Sequence, residues 1–466
     1  MNDMKKNIRR VFWLFFTMFA ITVLYLTNFM LIESNNIINS TLNPRVRISR
    51  PNVKRGQILD KNGIIIAQSI PFQESYARIY NYDNTFSHVV GFVDSVIGHS
   101  GVEERYNFSL QNLSFEIIQR IQNIASNSHL QGDSIVLTID GELQKLAYNL
   151  LGNSKGSIVA LDPSTGRILT MVSYPNFNPN EIAADWSRLN QDTGNSPLLN
   201  RATQGLYPPG SVFKILTSVS AMEHLENFED FVHDCTGSIT IDENSIRCYN
   251  YTAHGIIDMA DAFAVSCNTY FVALAEAIGA ENLRSTADAS YFNQLIPFRL
   301  PNSASRFTLD ENDDVLELMQ ASIGQGRVVV TPLHMAMLAG ALANDGAMMH
   351  PYVVDHIVTR QDRIRNVASP QILTRLFTYE NNSKLHDMMV QAVESGTGAP
   401  ASVSGVQVGG KTGTAENDRG EAHGWFVAFA SNNGSQIALA VMLENSGGAA
   451  RPLVIARNLI QFYLQD

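Results

Sequence analysis

The sequence predicts an α+β protein held at a membrane by a single N-terminal helix. A small mixed α/β domain is expected next, and then a larger domain built on one antiparallel sheet. That sheet should come from both ends of the domain, with helices on its faces and a helical insert between. Three observations predict this. The run "VFWLFFTMFAITVLYLTNFMLI" at 11–32 carries no charge and has about the length a helix needs to cross a bilayer. Strand-like segments cluster at 156–175 and again at 405–445, with helical spacing between them. The chain has 466 residues, 45% of them hydrophobic, which suits two or three domains with sizeable cores.

The elements follow in order. Residues 1–10, "MNDMKKNIRR", carry Lys5, Lys6, Arg9 and Arg10, and such a basic flank belongs on the cytoplasmic side of a transmembrane helix at 11–32. A cleaved signal peptide is the competing reading, but the apolar run is too long and no Ala-x-Ala site follows it. The remainder is therefore expected outside the cytoplasm. The small domain is placed at 33–155. There "RGQILDKNGIIIAQS" reads as a hairpin turning at Asp60-Lys61-Asn62-Gly63. "LSFEIIQRIQNIA", at 113–125, has helical spacing. "DSIVLTIDGELQKLAYNLL" is a strand and then a helix capped near Asp140, with Leu143, Leu146, Leu150 and Leu151 apolar. The larger domain is placed at 156–466. It opens with two strands joined at Asp162-Pro163-Ser164-Thr165-Gly166. A helix-rich middle runs from about 187 to 394. Strands return in "GVQVGGKTGTAE", "GWFVAFAS" and "SQIALAVMLEN", the last two separated by Asn432-Asn433-Gly434. "ARPLVIARNLIQFYLQ" closes the chain with the spacing of a helix packed on a sheet. A cleft is expected where the helical insert meets that sheet.

Composition narrows the function. The formal net charge is −11 and no basic patch lies beyond the first ten residues, which argues against a nucleic-acid binder. There is no Cys-x-x-Cys and no His-Glu-x-x-His, so no metal and no cofactor is expected. The cysteines are Cys235, Cys248 and Cys267. Cys235 and Cys248 bracket "TGSITIDENSIR", which alternates like a hairpin, so a disulfide between them and two buried thiols are both open readings.

The chemistry is carried by three short motifs. In "YPPGSVFKIL", Pro208, Pro209 and Gly210 stop a helix from starting earlier, and Ile215, Val219 and Met222 then fall on one face. Ser211 therefore sits at a helix N-terminus, and Lys214 lies one turn along on the same face. A serine hydroxyl is a weak nucleophile and needs such a base. Ser-x-x-Lys alone is weak, since roughly two matches are expected by chance at this length. "AVSCNTYF" adds Ser266 and Asn268. "GGKTGTAE" adds Lys411, Thr412, Gly413 and Thr414 on an expected strand; Lys-Thr-Gly is expected by chance only about 0.1 times. Taken singly, Ser266 and Asn268 could cap the helix that follows, and Lys411 could be a strand-end charge. The joint order Ser-x-x-Lys, Ser-x-Asn, Lys-Thr-Gly is that of the penicillin-recognising serine acyl-transferases.

On these motifs the chain resembles the class B penicillin-binding proteins, monofunctional D,D-transpeptidases of bacterial cell-wall synthesis, and in its short pedestal the compact penicillin-binding protein A subgroup. "RGQILDKNGIIIA" is similar to the family's pedestal box, and "NRATQGLYPPGSVFK", "IGQGRVVVTPLHMAMLAGALANDG" and "HGWFVAFA" are similar to its transpeptidase segments. The resemblance covers nearly the whole chain. It implies a penicillin-binding transpeptidase fold, Ser211 as nucleophile on a stem peptide ending in D-Ala-D-Ala, and Lys214 as its base. Burial and the nearby Lys411 would keep Lys214 neutral. Ser266 would relay the proton, Asn268 would position the substrate amide, and Lys411, Thr412 and Thr414 would hold the terminal carboxylate. Gly410 and Gly413 would let the substrate lie along the strand. The backbone N–H groups of Ser211 and Thr414 would form the oxyanion hole. β-Lactams would acylate the same serine. The implied partners are the lipid bilayer and a shape–elongation–division–sporulation glycan polymerase.

Rival readings have their own markers. A class A β-lactamase would carry a Glu-x-x-Leu-Asn motif, which is absent, and a class D enzyme usually has Ser-x-Val where this chain has Ser266-Cys267-Asn268. A penicillin sensor needs a cytosolic effector, for which about ten residues leave no room. A glycosyltransferase domain does not fit in the ~120 residues between the anchor and the first strand of the larger domain. The remaining alternative is a non-enzymatic scaffold that activates a glycan polymerase, against which an intact catalytic set argues.

Overall fold

The computed structural model describes residues 2–29, 53–111, 131–309, 313–417 and 420–465. The expected helix at 113–125 lies outside them. The N-terminal helix runs Asn2–Asn28, 27 residues, about 40 Å at 1.5 Å per residue. Its apolar side chains, Phe12, Trp13 and Leu24 among them, are exposed. Thr17, Thr22 and Thr27 return their hydroxyls to carbonyls four residues back, so its interior threonines satisfy their own polar groups. It is an apolar helix of membrane-spanning length.

Two sheets organise the rest. The larger has five antiparallel strands in the order Gln407–Ala415, His423–Asn432, Ser435–Leu443, Gly156–Leu161, Ile168–Tyr174. Leu443 pairs with Gly156 and Ala438 with Leu161, so strands from both ends of the region join in its middle, as expected. Its central strands are covered on both faces. Trp425, Val427 and Phe429 point into the core shared with the helical insert, and Phe426, Ala428 and Ala430 into a second core under Gly141–Leu151 and Ala450–Gln465. Alternation across a strand buried on both sides explains why "GWFVAFA" reads as one apolar run. On the insert side lies Pro332–Ala343, buried along its length and capped by Thr331, whose Oγ1 accepts from His334 N.

The smaller sheet has six strands in the order Ile364–Arg365, Val354–Val358, Ser134–Leu137, Ile58–Leu59, Ile65–Phe72, Ser75–Tyr80. Two of them come from beyond residue 350, with His356 paired to Val136 and Ile357 to Ile135. The helix Gly141–Leu151, capped by Asp140 as expected, packs on the larger sheet through Leu143, Ala147 and Leu151. The chain thus crosses between its two parts on both sides of position 155. The Asp60–Gly63 turn forms, with Asp60 Oδ1 accepting from Asn62 N and Ile64 N. The Asp242–Glu243 turn joins Ser238–Ile241 to Asn244–Arg247, with Ile241 paired to Asn244.

The box "RGQILD" has a physical reason. Arg55 and Arg78 both pair with the fully buried Glu103, at 2.5 and 2.6 Å. Burial would raise the Glu103 carboxyl, yet the two guanidinium groups hold it below the usual carboxylate range. Removing Glu103 strands two buried cations. Glu103→Ala is expected to cost about 3–5 kcal/mol of stability in urea unfolding of the detergent-purified chain. A loss under about 1 kcal/mol would show that the arginines need no counter-charge.

Candidate active site

The site lies where the insert meets the edge strand of the larger sheet. Ser211 sits in the 3₁₀ turn Gly210–Phe213, immediately ahead of the α-helix Lys214–His224. The tightening of that first turn is the one local departure from the expected α-helical start. The turn is pressed onto the edge strand. Gly210 has φ 55°, and a Cβ there would lie 2.4 Å from Thr414 O; a Cβ on Gly413 would lie 2.8 Å from Pro209 O. Only glycine at both positions lets Ser211 and Thr414 stand this close. The turn is braced by Gly210 N donating to Gly324 O at 2.8 Å, and by Trp425 Nε1 donating to Pro208 O at 3.0 Å. Tyr207 donates to Glu444 Oε1 at 2.9 Å, and the same carboxylate oxygen pairs with Arg201 at 2.7 Å. Of the bracing residues, Gly324, Trp425, Tyr207, Arg201 and Glu444 were not singled out from sequence. Gly324 belongs to the quoted "IGQGRVVVTP", which the fold sets against the nucleophile turn.

Lys214 is fully buried. Its Nζ contacts Ser266 O at 2.8 Å, Asn268 Oδ1 at 2.7 Å and Ser266 Oγ at 3.3 Å. The first two can only accept. A neutral amine satisfies both with its two protons and keeps a lone pair for a hydroxyl. Burial lowers its pKa to about 7, with the Cys267 and Cys248 sulfurs opposing. The expected burial effect is therefore present, but the depression of Lys214 comes from burial rather than from Lys411. The charge coupling acts on Lys411, which burial first and Lys214 second push well below the usual lysine range. Lys411 is fully buried on the edge strand Gln407–Ala415, 5.4 Å from the Phe263 ring centroid, and its amine has no hydrogen-bond partner among the described residues. A buried amine without an acceptor is costly unless a ligand supplies one. Thr412 shares a hydrogen bond with Thr397 at 2.8 Å, and Thr414 is exposed on the same strand. Thr397 is a further contact that the sequence did not point to.

The Ser266–Asn268 loop joins the helices Met259–Ala264 and Asn268–Ile278. Ser266 N donates to Phe263 O and Cys267 N to Ala262 O, which closes the first helix with Ser266 at φ 60°. Glycine is the usual residue in that conformation, so serine here costs on the order of 1 kcal/mol. Asn268 turns its Oδ1 to Lys214 and its Nδ2 to Arg247 O. The expected cap role falls instead to Cys267, whose Sγ accepts from Tyr270 N. Ser266→Gly removes the strain along with the hydroxyl. It is expected to leave the melting temperature equal or higher while slowing penicillin acylation by about 10²-fold or more. Unchanged acylation would remove Ser266 from proton transfer.

The structure thus brings the three motifs together: Lys214 meets Ser266 and Asn268, and the turn carrying Ser211 presses on Gly413 and Thr414. Of the two readings left open for Cys235 and Cys248, the structure has the buried thiols: the sulfurs are 3.7 Å apart and all three cysteines are free and buried.

Residues 156–461 match the family model of the penicillin-binding protein transpeptidase domain, and 55–135 match that of the penicillin-binding protein A dimerisation domain. The chain is 31% identical to the peptidoglycan D,D-transpeptidase PbpA of Mycolicibacterium smegmatis over 87% of each chain. It superposes on the imipenem acyl-enzyme complex of penicillin-binding protein A from M. tuberculosis with a TM-score of 0.82, at 30% identity, over 89% of this chain and 99% of that one. The D,D-transpeptidase domain of a peptidoglycan glycosyltransferase from Eggerthella lenta matches with a TM-score of 0.81, at 30% identity, over 88% and 98%. With the three motifs brought together, this chain belongs to the class B penicillin-binding transpeptidases.

Proposed function

We propose that the chain is a membrane-anchored peptidoglycan D,D-transpeptidase acting through an acyl-enzyme on Ser211. The observation that carries this reading is a buried lysine of near-neutral pKa one turn after Ser211, with a second buried amine, on the edge strand of the sheet, that has no hydrogen-bond partner among the described residues. Ser211 Oγ attacks the carbonyl between two terminal D-alanines, and its proton passes to the neutral Lys214. Ser266, which accepts from Lys214, relays that proton to the departing D-alanine amine, so that both side chains end neutral. An amine of a neighbouring stem then attacks the ester and forms the cross-link. The donor peptide adds to the free edge of Gln407–Ala415 as an extra strand. Its carboxylate meets Lys411, Thr412 and Thr414. That negative charge restores the proton to Lys411, and the cation so formed helps to keep Lys214 neutral. The Ser211 turn and Thr414 lie close enough for their backbone N–H groups to receive the oxyanion, and Asn268 steers the substrate amide. β-Lactams enter the same path and stop at the acyl-enzyme.

The functional division is a cytoplasmic tail at 1–10, an anchor at 11–32, a pedestal at 33–155 and the transpeptidase at 156–466, outside the cytoplasm. Glycan strands then come from a separate membrane polymerase of the shape–elongation–division–sporulation type, contacted through anchor and pedestal. Purified full-length protein is given glycan strands bearing D-Ala-D-Ala stems, and the muramidase digest is weighed. Cross-linked dimers that have lost one D-alanine are expected. Trimmed monomers alone would make the enzyme a carboxypeptidase, and penicillin turnover without a trapped acyl-enzyme would make it a β-lactamase.

A further inference from the structure

The chain contains only three cysteines, and the fold brings all of them to one point beside the active site. Cys235 ends the strand His233–Cys235, and Cys248 follows the strand Asn244–Arg247. His254 precedes the strand Gly255–Ile257, and Cys267 caps the helix Asn268–Ile278. Backbone bonds hold these segments together: His254 N donates to Cys235 O at 3.0 Å and Cys248 N to Gly237 O at 2.9 Å. The side chains converge. Cys248 Sγ is 3.7 Å from both Cys235 Sγ and Cys267 Sγ, and Cys235 Sγ is 3.2 Å from His254 Nδ1. All four ligand atoms lie within 4.8 Å of one another.

We propose that Cys235, Cys248, His254 and Cys267 form a structural zinc site that holds the Ser266–Asn268 loop in its catalytic conformation. The dimensions suit the ion. Zinc binds thiolate sulfur at about 2.3 Å in a tetrahedron, which separates neighbouring sulfurs by about 3.8 Å. Two of the sulfur separations here are 3.7 Å. Three thiolates and an imidazole are a soft, closed donor set of the kind that selects zinc for structure and leaves no position open for catalysis. Polar neighbours already address the sulfurs. Tyr270 N donates to Cys267 Sγ at 3.4 Å, and Thr269 Oγ1 stands 3.3 Å from the same atom. Such outer contacts orient ligands and stabilise the thiolate form. A disulfide accounts for less, because any bridge uses two sulfurs and strands the third.

The location gives the site its consequence. Cys267 lies between Ser266 and Asn268, the two residues that hold the Lys214 amine. Ser266 is kept at φ 60°, against its own preference. Fixing Cys267 to the hairpin Ser238–Arg247 and to His254 clamps this loop from behind. Sequence reasoning missed the set because the ligands are 13, 6 and 13 residues apart, with no close pair to mark it.

The test uses the full-length protein extracted in detergent without chelator. Elemental analysis is expected to find close to one zinc per chain, and no more than roughly a tenth of that in Cys248→Ser and His254→Ala. Stripping the wild type with a chelator should lower its melting temperature and slow fluorescent-penicillin acylation. Zinc should restore both and magnesium neither. Wild-type protein with three freely titrating thiols and no zinc would overturn the proposal, as would a cross-linked Cys235–Cys248 peptide or undiminished zinc in both variants. The zinc count does not depend on the transpeptidase reading, so either can fail alone.

Discussion

Replacing Ser211 with alanine is expected to abolish covalent labelling by a fluorescent penicillin while the protein keeps its fold and its membrane level. The chemical loss should be on the order of 10⁶-fold, the scale seen when an acyl-transfer nucleophile is removed. No second hydroxyl occupies that turn. The structural loss should be small, within about 0.5 kcal/mol, because the half-buried Ser211 side chain caps no helix: the turn Gly210–Phe213 begins without a side-chain cap bond. Labelling and thermal melting on the same preparation separate the two effects. The in vivo arm distinguishes enzyme from scaffold. A stable, unlabelled Ser211→Ala chain that fully complements a deletion, with no redundant transpeptidase present, would leave polymerase activation as the role.

Acylation should require the neutral form of Lys214, and its pH profile should show this. The amine is lowered to about 7 by burial. The sign follows: above that value the base is free and the rate levels off, and below it the rate falls about tenfold per pH unit as the amine is protonated. Lys214→Arg keeps the charge but cannot deprotonate, so acylation should drop by about 10²–10⁴-fold and the inflection near neutrality should vanish. Arginine is larger than the fully buried lysine it replaces, so Lys214→Met, of similar length, serves as the second variant. A wild-type rate that stays flat from pH 5 to pH 9 would remove Lys214 from the base role. So would near-normal acylation by either folded variant.

Much of this protein was legible because its chemistry is locally encoded. Ser211 and Lys214 are one turn apart behind Pro208-Pro209-Gly210, and Lys411 to Thr414 lie on one strand, so each motif carries its own geometry. The apolar run at the N-terminus and the turns at Asp60–Gly63, Asp162–Gly166 and Asn433-Gly434 are equally local. Even the five-stranded sheet could be inferred, because strand patterns at both ends leave few ways to close one core.

Contacts distant in sequence were decided only by the tertiary structure. Val354–Val358 pairs with Ser134–Leu137 in the smaller sheet, and no pattern in either strand names its partner. Arg55 and Glu103 meet across 48 residues. The protonation of Lys214 and Lys411 depends on how completely other segments exclude water from them, which periodicity does not report. Nothing in the sequence singles out His254, and the spacing of Cys235 and Cys248 leaves a bridge and free thiols equally open. Folding set three sulfurs and an imidazole around one point because Cys267 caps a helix directly behind the hairpin that carries the other two cysteines. A sequence displays side-chain chemistry and near-neighbour spacing; packing alone determines which distant groups share a volume and how far it is shielded from water.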